Sequence, residues 1–195
     1  MIIIFSAPSG AGKSTLINFL LTQRHDLEFS ISATTRQPRG LEEHGKEYYF
    51  ITNHEFEQLI KQNQLVEWQQ VYSGTYYGTL KSEIQRIESA GHHVVFDVDV
   101  EGGINLKRIF GDNARSIFVA PPSVAELRKR LINRATDAPE KIEERVAKAA
   151  SEMEKAQYFD TVIVNDNLEK AKIELMNEIT TFIDENSNTF KRCKN

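Results

Sequence analysis

Three adjacent residues, Gly12, Lys13 and Ser14, carry the sharpest chemical signal in the sequence. They close the stretch "SAPSGAGKST" (6–15). It fits the pattern of a phosphate-binding loop, glycine, four residues, then Gly-Lys-Ser/Thr, except that Ala7 stands at the first glycine. Such a loop holds phosphate oxygens with backbone N–H groups and a helix N-terminus. Gly10 and Gly12 let the backbone turn and approach the ligand closely. The Lys13 ammonium suits the β- and γ-phosphates of a nucleoside triphosphate, and the Ser14 hydroxyl suits Mg²⁺. Alanine at position 7 is compatible with the loop provided its φ is negative. The expected nucleotide-binding run is therefore Ala7, Pro8, Ser9, Gly10, Ala11, Gly12, Lys13, Ser14 and Thr15.

Two further sets of residues have types and spacing suited to charge handling. Asp97 and Asp99 end the run "HVVFDVDV" (93–100), and read as a strand the run places both on one side. At a strand end near the loop, either could hold Mg²⁺ through water or contact a phosphate acceptor. Ser14 and Asp97 are the expected metal residues. Arg36 and Arg39, followed nine residues later by Tyr48, could clamp a phosphate monoester, because guanidinium offers paired hydrogen bonds. The same three residues could equally form a solvated basic turn. The five histidines are scattered and do not form a metal set.

The elements that must position these residues alternate in a regular way. "IIIFSA" reads as a strand buried on both faces, and "STLINFLLTQ" as a helix with Leu16, Ile17, Leu20 and Leu21 at helical spacing. Strand, loop and helix are the context a phosphate loop requires. From 30 to 80 the texture changes: "YYFIT", "LVEWQQVY" and "TYYGT" are aromatic, β-prone and broken by Gly45, Gly74 and Gly78. A short helix, "HEFEQLIKQ", sits among them with Asn53 as its expected cap. "LKSEIQRIESAG" follows with Leu80, Ile84 and Ile87 on one face and Gly91 to end it. The run 93–100, "RSIFVAPP" (115–122) and "DTVIVN" (160–165) read as further strands. Helices are expected after a Ser123/Glu126 capping box, from about Pro139 to 157, and over 168–184. Alternating strands and helices imply an α/β fold with a parallel sheet flanked by helices and a small mixed or antiparallel insertion.

Composition bounds the rest. At 195 residues the chain has room for one α/β domain with inserted subdomains, and 40% hydrophobic with 27% charged residues is ordinary for a soluble globular protein. The net charge of −4 gives no general footprint for nucleic acid. The single cysteine, Cys193, excludes an internal disulfide and a cysteine-based zinc site, and suits a reducing compartment. No apolar run approaches the ~20 residues a membrane helix needs, and "MIIIF" lacks the basic region of a signal peptide. The expectation is a soluble cytoplasmic protein without nucleic-acid or membrane partners; homo-oligomerisation stays open.

Taken together, the motifs resemble those of guanylate kinase. The matching stretches are "SAPSGAGKST", "SATTRQPRGLEEHGKEYYF", "LVEW", "YYGT", "FDVDVEG", "FVAPPS", "KRLINRATD" and "VIVND", in order over residues 3–166. The alanine at position 7 resembles a variant used within that family. The resemblance implies reversible, Mg²⁺-dependent transfer of the ATP γ-phosphate to GMP, giving ADP and GDP, with dGMP open as a further acceptor. It implies that Ser32, Arg36, Arg39, Tyr48, Glu67, Tyr77 and Thr79, with Asp97 and Asp99, bind GMP. It also implies that Lys13, Arg36, Arg130, Arg134 and Arg145 carry the phosphate charge in transfer, and that Asn165 lies near the adenine. The implied organisation is a P-loop core (1–32, 80–122 and 148–186), a GMP-binding insertion (33–79), a lid (123–147) and a polar tail (187–195). Ala135 departs from the family's usual glycine in the lid hinge. The spacing from Glu67 to "YYGT" is one residue longer than in many relatives, which makes Tyr77 rather than Tyr76 the expected ligand.

The chemistry of the base agrees with this assignment. Guanine offers an O6 acceptor beside N1–H and N2–H donors, so Glu67 suits the donors, and the Ser32 and Thr79 hydroxyls suit O6. Adenine would face Glu67 with an acceptor, at a cost of ~1–3 kcal/mol or more. Two alternatives remain at this point: a catalytically silent binding module of the same family, and a ribose bisphosphate kinase of the same fold.

Overall fold

The protein is described by a computed structural model covering residues 1–72, 74–133 and 139–192. In chain order the strands are β1 (Ile2–Ser6), β2 (Leu27–Phe29), β3 (Ala33–Thr34), β4 (Tyr49–Phe50), β5 (Leu65–Tyr72), β6 (Thr75–Leu80), β7 (His93–Asp97), β8 (Ala114–Ala120) and β9 (Thr161–Val164). The helices are α1 (Lys13–Gln23), α2 (Asn53–Lys61), α3 (Lys81–Ser89), α4 (Val100–Phe110), α5 (Val124–Asn133), α6 (Pro139–Glu154) and α7 (Leu168–Arg192). A five-stranded sheet runs β2-β7-β1-β8-β9. Its pairings β1·β8, β8·β9 and β2·β7 are parallel. A second sheet runs β4-β3-β6-β5 and is mixed: β3·β4 is parallel, whereas β3·β6 and β5·β6 are antiparallel. The expected fold class, a P-loop parallel sheet with helices and a mixed insertion, is the fold observed.

The chain forms two compact units, one of Met1–His25 with Asp97–Asn195, the other of Asp26–Phe96. In the first, every residue of β1 is buried: the apolar run 2–5 suits a strand covered on both faces, and the buried Ser6 that ends it donates its hydroxyl to Asp99 O. Val100, Phe118, Ala120 and Phe159 form one apolar cluster in this unit. Helix α7 buries Ala171, Leu175, Ile179, Phe182 and Ile183, a stripe at helical spacing, and packs on α1. Leu127 and Leu131 of α5 pack with Ile142 and Ala149 of α6. In the second unit, Ala33, Phe56 and Leu65 are buried beneath Tyr49, Ile51, Leu59, Ile60, Tyr76 and Leu80.

Four elements differ from the sequence reading. The strand expected over 93–100 ends at Asp97, and Val100 already begins α4, a helix the pattern did not reveal. Asp99 is its N-cap and accepts from Gly102 N–H at 2.8 Å, so the local side-chain bond wins over strand extension. Asp97 and Asp99 therefore do not share one side of a strand. Helix α2 is capped by Thr52 rather than Asn53: the Thr52 hydroxyl accepts from Glu55 N–H, and the Glu55 carboxylate accepts from Thr52 N–H. That reciprocal box needs an acidic residue three positions on, which Asn53 lacks. The short strand β2 also went unread. Finally, α7 continues to Arg192, through residues assigned to a polar tail; no glycine or proline interrupts it. Arg134, Ala135 and Cys193 lie outside the described residues.

Candidate functional site

The phosphate loop leaves β1 at Ser6 and enters α1 at Lys13. Gly10 and Gly12 have φ of +94° and +96°, the left-handed region that glycine adopts without a Cβ penalty. Ala7 is not among the described residues with positive φ, which is the condition its presence required. Gly12 is the N-cap of α1 and has no side chain to satisfy the first N–H groups of the helix. Those donors and the helix dipole favour an anion at this point.

The rest of the unit braces this loop. Asn165, 7% exposed, donates through Nδ2 to Ala11 O at 2.8 Å. A Cβ on Gly12 would sit 2.2 Å from that Nδ2, so close support and a glycine go together here. Leu131 comes within 3.0 Å of the corresponding position on Gly10. Arg130 donates to Asn165 O at 3.0 Å, and Arg145 donates to the Ser9 hydroxyl at 3.3 Å. Of the four arginines expected to carry phosphate charge, Arg130 and Arg145 thus reach the loop or its brace, and Arg134 lies outside the described residues. Ser14 and Thr15 are exposed in the first turn of α1.

Lys13 forms an ion pair with Asp97 and donates to Val98 O at 3.0 Å. The expected phosphate-binding cation and the expected metal carboxylate are therefore neighbours. Asp99 caps α4 and is tied to β1, because Ser6 Oγ donates to its carbonyl at 3.0 Å. Sequence reasoning missed Glu152 of α6, a carboxylate only 9% exposed with Lys148 at 3.4 Å. Burial pushes its pKa up, and the Asp99 charge adds to that, while Lys148 and Lys13 oppose it. A Glu in an otherwise charged helix gives no sign in sequence that it points inward.

The unit Asp26–Phe96 gathers the residues expected to read the acceptor. Arg36 is fixed from three sides. It donates from Nε to the Tyr77 hydroxyl at 3.0 Å and from NH1 and NH2 to Glu42 at 2.6 and 2.8 Å. Its guanidinium lies 4.9 Å from the Tyr48 ring centre and 5.5 Å from that of Phe50. Tyr48 and Tyr77 meet edge to face at 5.8 Å. Arg36, Tyr48 and Tyr77 are thus brought together, and Arg39 sits exposed on the same turn. Tyr76, the neighbour of Tyr77, instead stacks on Phe56 at 5.4 Å, on the apolar side. The β5–β6 ladder carries two register shifts, between Leu65 and Glu67 and between Gln70 and Tyr72.

Glu67 and Thr79 face each other across β5 and β6, and the Thr79 hydroxyl donates to Glu67 Oε1 at 2.8 Å. Thr79, expected at guanine O6, is thus placed against the carboxylate expected to read the base. A carboxylate is the stronger acceptor, and its neighbour on the paired strand is buried beside it. Ser32 is held by its backbone, whose carbonyl accepts from Tyr49 N–H at 2.9 Å.

A second buried carboxylate, also missed, organises this unit. Glu83, 3% exposed, accepts from Ile31 N–H at 3.1 Å, Tyr49 O–H at 3.0 Å and Arg86 at 3.0 Å through both oxygens. Burial would raise its pKa, but Arg86, Ile31 N–H and Tyr49 O–H together hold it below the usual carboxylate range. Arg86 also pairs with Glu28, whose other oxygen meets His92 at 3.0 Å.

A strand, a glycine loop with Gly-Lys-Ser, and a helix feeding a parallel sheet define a P-loop protein. The guanylate kinase family model matches residues 1–182. Guanylate kinase of Bacteroides thetaiotaomicron is 56% identical over 182 residues, covering 93% of this chain and 89% of that protein. Guanylate kinase of Porphyromonas gingivalis is 50% identical over 183 residues, covering 93% and 97%. The crystal structure of guanylate kinase from Anaplasma phagocytophilum superposes with a TM-score of 0.73 at 29% identity, covering 93% of this chain and 85% of that one. The chain belongs to the guanylate kinase family. Among the described residues no helix is long and apolar enough to cross a membrane.

Proposed function

We propose that this chain transfers the γ-phosphate of ATP to GMP, the activity of its family, and that the two groups of residues described above carry the two halves of the task. The observation that best supports the division is the set Arg36, Tyr48, Tyr77, Glu67 and Thr79 within one unit. It combines a cation and phenols for a phosphate monoester with a carboxylate for a base that donates from N1 and N2.

In this reading the loop from Ala7 to Thr15 holds the phosphates of ATP through backbone N–H groups, with Lys13 on the β- and γ-oxygens. An oxygen of the GMP phosphate attacks the γ-phosphorus in line, the bond to the β,γ-bridging oxygen breaks, and ADP leaves. No covalent enzyme intermediate is required. Arg36, Arg130, Arg134 and Arg145 stabilise charge on the moving group. Asn165 acts on ATP chiefly by fixing the Ala11 carbonyl, rather than by touching adenine. Glu67 accepts from guanine N1–H and N2–H, Thr79 orients Glu67, and donation to O6 falls to Ser32. Arg39 joins Arg36 on the acceptor phosphate, and Asp97 and Asp99 serve the acceptor side as well. Ser14 and Asp97 provide hard oxygen donors of the kind Mg²⁺ prefers, in part through water. When bound, Mg²⁺ neutralises the phosphate oxygens around the transferred group.

The experiment is a coupled assay of ADP release from MgATP with GMP, AMP, CMP, UMP or ribose 1,5-bisphosphate as acceptor, run on the wild type and on Glu67→Gln. Rapid turnover with GMP alone, and a narrower gap between GMP and AMP in the variant, are expected. Turnover only with the sugar phosphate would overturn the acceptor. An unchanged preference in Glu67→Gln would mean that another group reads the base.

A further inference from the structure

The turn 36–42 contains a carboxylate that the phosphotransfer reading does not use. Glu42 and Glu43 are adjacent and alike in sequence, but they do different things. The Glu43 side chain is 62% exposed and pairs with Lys46, whereas that of Glu42 is 23% exposed and faces Arg36. Glu42 takes the NH1 and NH2 ends of the guanidinium with one oxygen each. The oxygen that meets NH1 also accepts from Arg39 N–H at 2.8 Å. Glu42 N–H in turn donates to Arg39 O at 3.1 Å, which closes the turn. One carboxylate thus fixes both the side chain of Arg36 and the backbone that carries Arg39.

The consequence for a phosphate follows from counting donors. A guanidinium has five N–H groups. In Arg36, Nε–H goes to the Tyr77 oxygen, NH1 donates to Glu42 and Gln37 O, and NH2 donates once to Glu42. The NH2 proton on the Nε side is left. Because the Tyr77 oxygen accepts from Nε, its own O–H is directed to another acceptor. That NH2 proton and the Tyr77 hydroxyl, bonded to Nε, stand on the same edge of the guanidinium, a short fork on the side that Glu42 does not occupy. The ring faces of Tyr48 and Phe50 hold the plane of the fork.

We propose that Glu42 is a positioning residue for the acceptor phosphate: it clamps Arg36 end-on, so that the Nε-side edge of Arg36 and the Tyr77 hydroxyl together present a preorganised fork to GMP. Glu42 keeps its place when GMP binds and is not displaced by the phosphate. The pair persists over the working pH range, since Arg36 holds the Glu42 carboxyl down to about 2. This inference rests on the assignment of Arg36 and Tyr77 to the GMP phosphate.

The test compares equilibrium binding of GMP and of guanosine, which lacks the phosphate, to the wild type, Glu42→Gln and Arg36→Gln. Glu42→Gln should weaken GMP roughly tenfold, the scale of one charge-assisted hydrogen bond, while guanosine affinity stays within twofold. Glu42→Asp keeps the charge but retracts it by one methylene; it should fall between the two, and it carries the test if Glu42→Gln does not fold. Tighter GMP binding in Glu42→Gln would show that the carboxylate competes with the phosphate, and would overturn the proposal. An equal loss for GMP and guanosine would reduce Glu42 to a general structural role and overturn it as well. If Arg36→Gln weakens GMP and neither Glu42 variant does, the positioning role alone fails. If Arg36→Gln leaves GMP unchanged, the phosphate assignment fails first, and this inference with it.

Discussion

Replacing Asn165 by alanine separates two roles that a residue beside a nucleotide loop can play. Its Nδ2 donates to Ala11 O at 2.8 Å in a buried setting. Alanine removes the donor and leaves a buried loop carbonyl without it. The bond that Arg130 makes to residue 165 goes to the backbone carbonyl, and that group survives the substitution. The loss is therefore one buried hydrogen bond, about 1–2 kcal/mol. Expressed in the bound state, that is a 5- to 30-fold weaker affinity for ATP. The assay is calorimetric binding of ATP and of inorganic tripolyphosphate to the wild type and to Asn165→Ala. A brace that fixes loop geometry serves any chain of phosphates, so both ligands should weaken by the same factor. Weakened ATP with unchanged tripolyphosphate would mean that Asn165 acts on the base, and the bracing argument would be wrong. GMP binding, proposed to rest on residues other than Asn165 and the loop, should not change.

Further perturbations test the packing. A Cβ at position 103 would sit 2.3 Å from Ser6 Oγ and 3.0 Å from the Phe159 ring, so Gly103→Ala should lose about 1–3 kcal/mol in urea unfolding; a loss under about 0.5 kcal/mol would mean that α4 shifts freely. Glu83→Ala leaves Ile31 N–H and Tyr49 O–H without their acceptor and should cost about 3 kcal/mol, with guanosine affinity falling because Ile31 precedes Ser32. A cost near zero would show that water replaces the carboxylate. The pH dependence of the Glu42 pair has a definite sign. Its folded pKa, about 2, lies below the ordinary value of 4.5, so its contribution is complete above about pH 4.5 and disappears as pH falls towards 2. The stability gap between the wild type and Glu42→Gln should be widest near pH 6 and shrink steadily below pH 4.5. A gap independent of pH would remove the ion pair from the explanation.

The legible parts of the sequence were those whose residue types admit few alternatives. An apolar run over 2–5 followed by two glycines, a lysine and a serine constrains both geometry and chemistry at once. The aromatic texture of 48–80 likewise marked the mixed sheet. What escaped was decided by competition between local bonds. Asp99 continued a plausible β alternation, yet its carboxylate caps Gly102 N–H, and the pair Gly102-Gly103 concealed the helix behind it. Only the packing explains that pair, since Gly103 lies against Ser6 and Phe159. The Asp99-x-x-Gly cap ahead of Val100, Ile104 and Leu106 was the available signal. The three inward carboxylates, Glu42, Glu83 and Glu152, were illegible for a different reason. A glutamate in a polar segment is normally solvated, and its burial depends on donors supplied from distant positions, as Ile31 and Tyr49 supply them to Glu83.

The strand order also bears on how the chain is made. Ile2 of β1 pairs with Ala114 of β8, so β1 waits for a partner synthesised much later. Within the stretch 26–96 the delays are shorter: Ala33 pairs with Tyr49 and Leu65 with Leu80, and its widest pair is Leu27 with His93. During synthesis the apolar segment "IIIF" therefore stays exposed while the aromatic sheet assembles behind it. The nascent chain should be most prone to misassociate in that interval, before the strands that flank β1 in the sheet emerge.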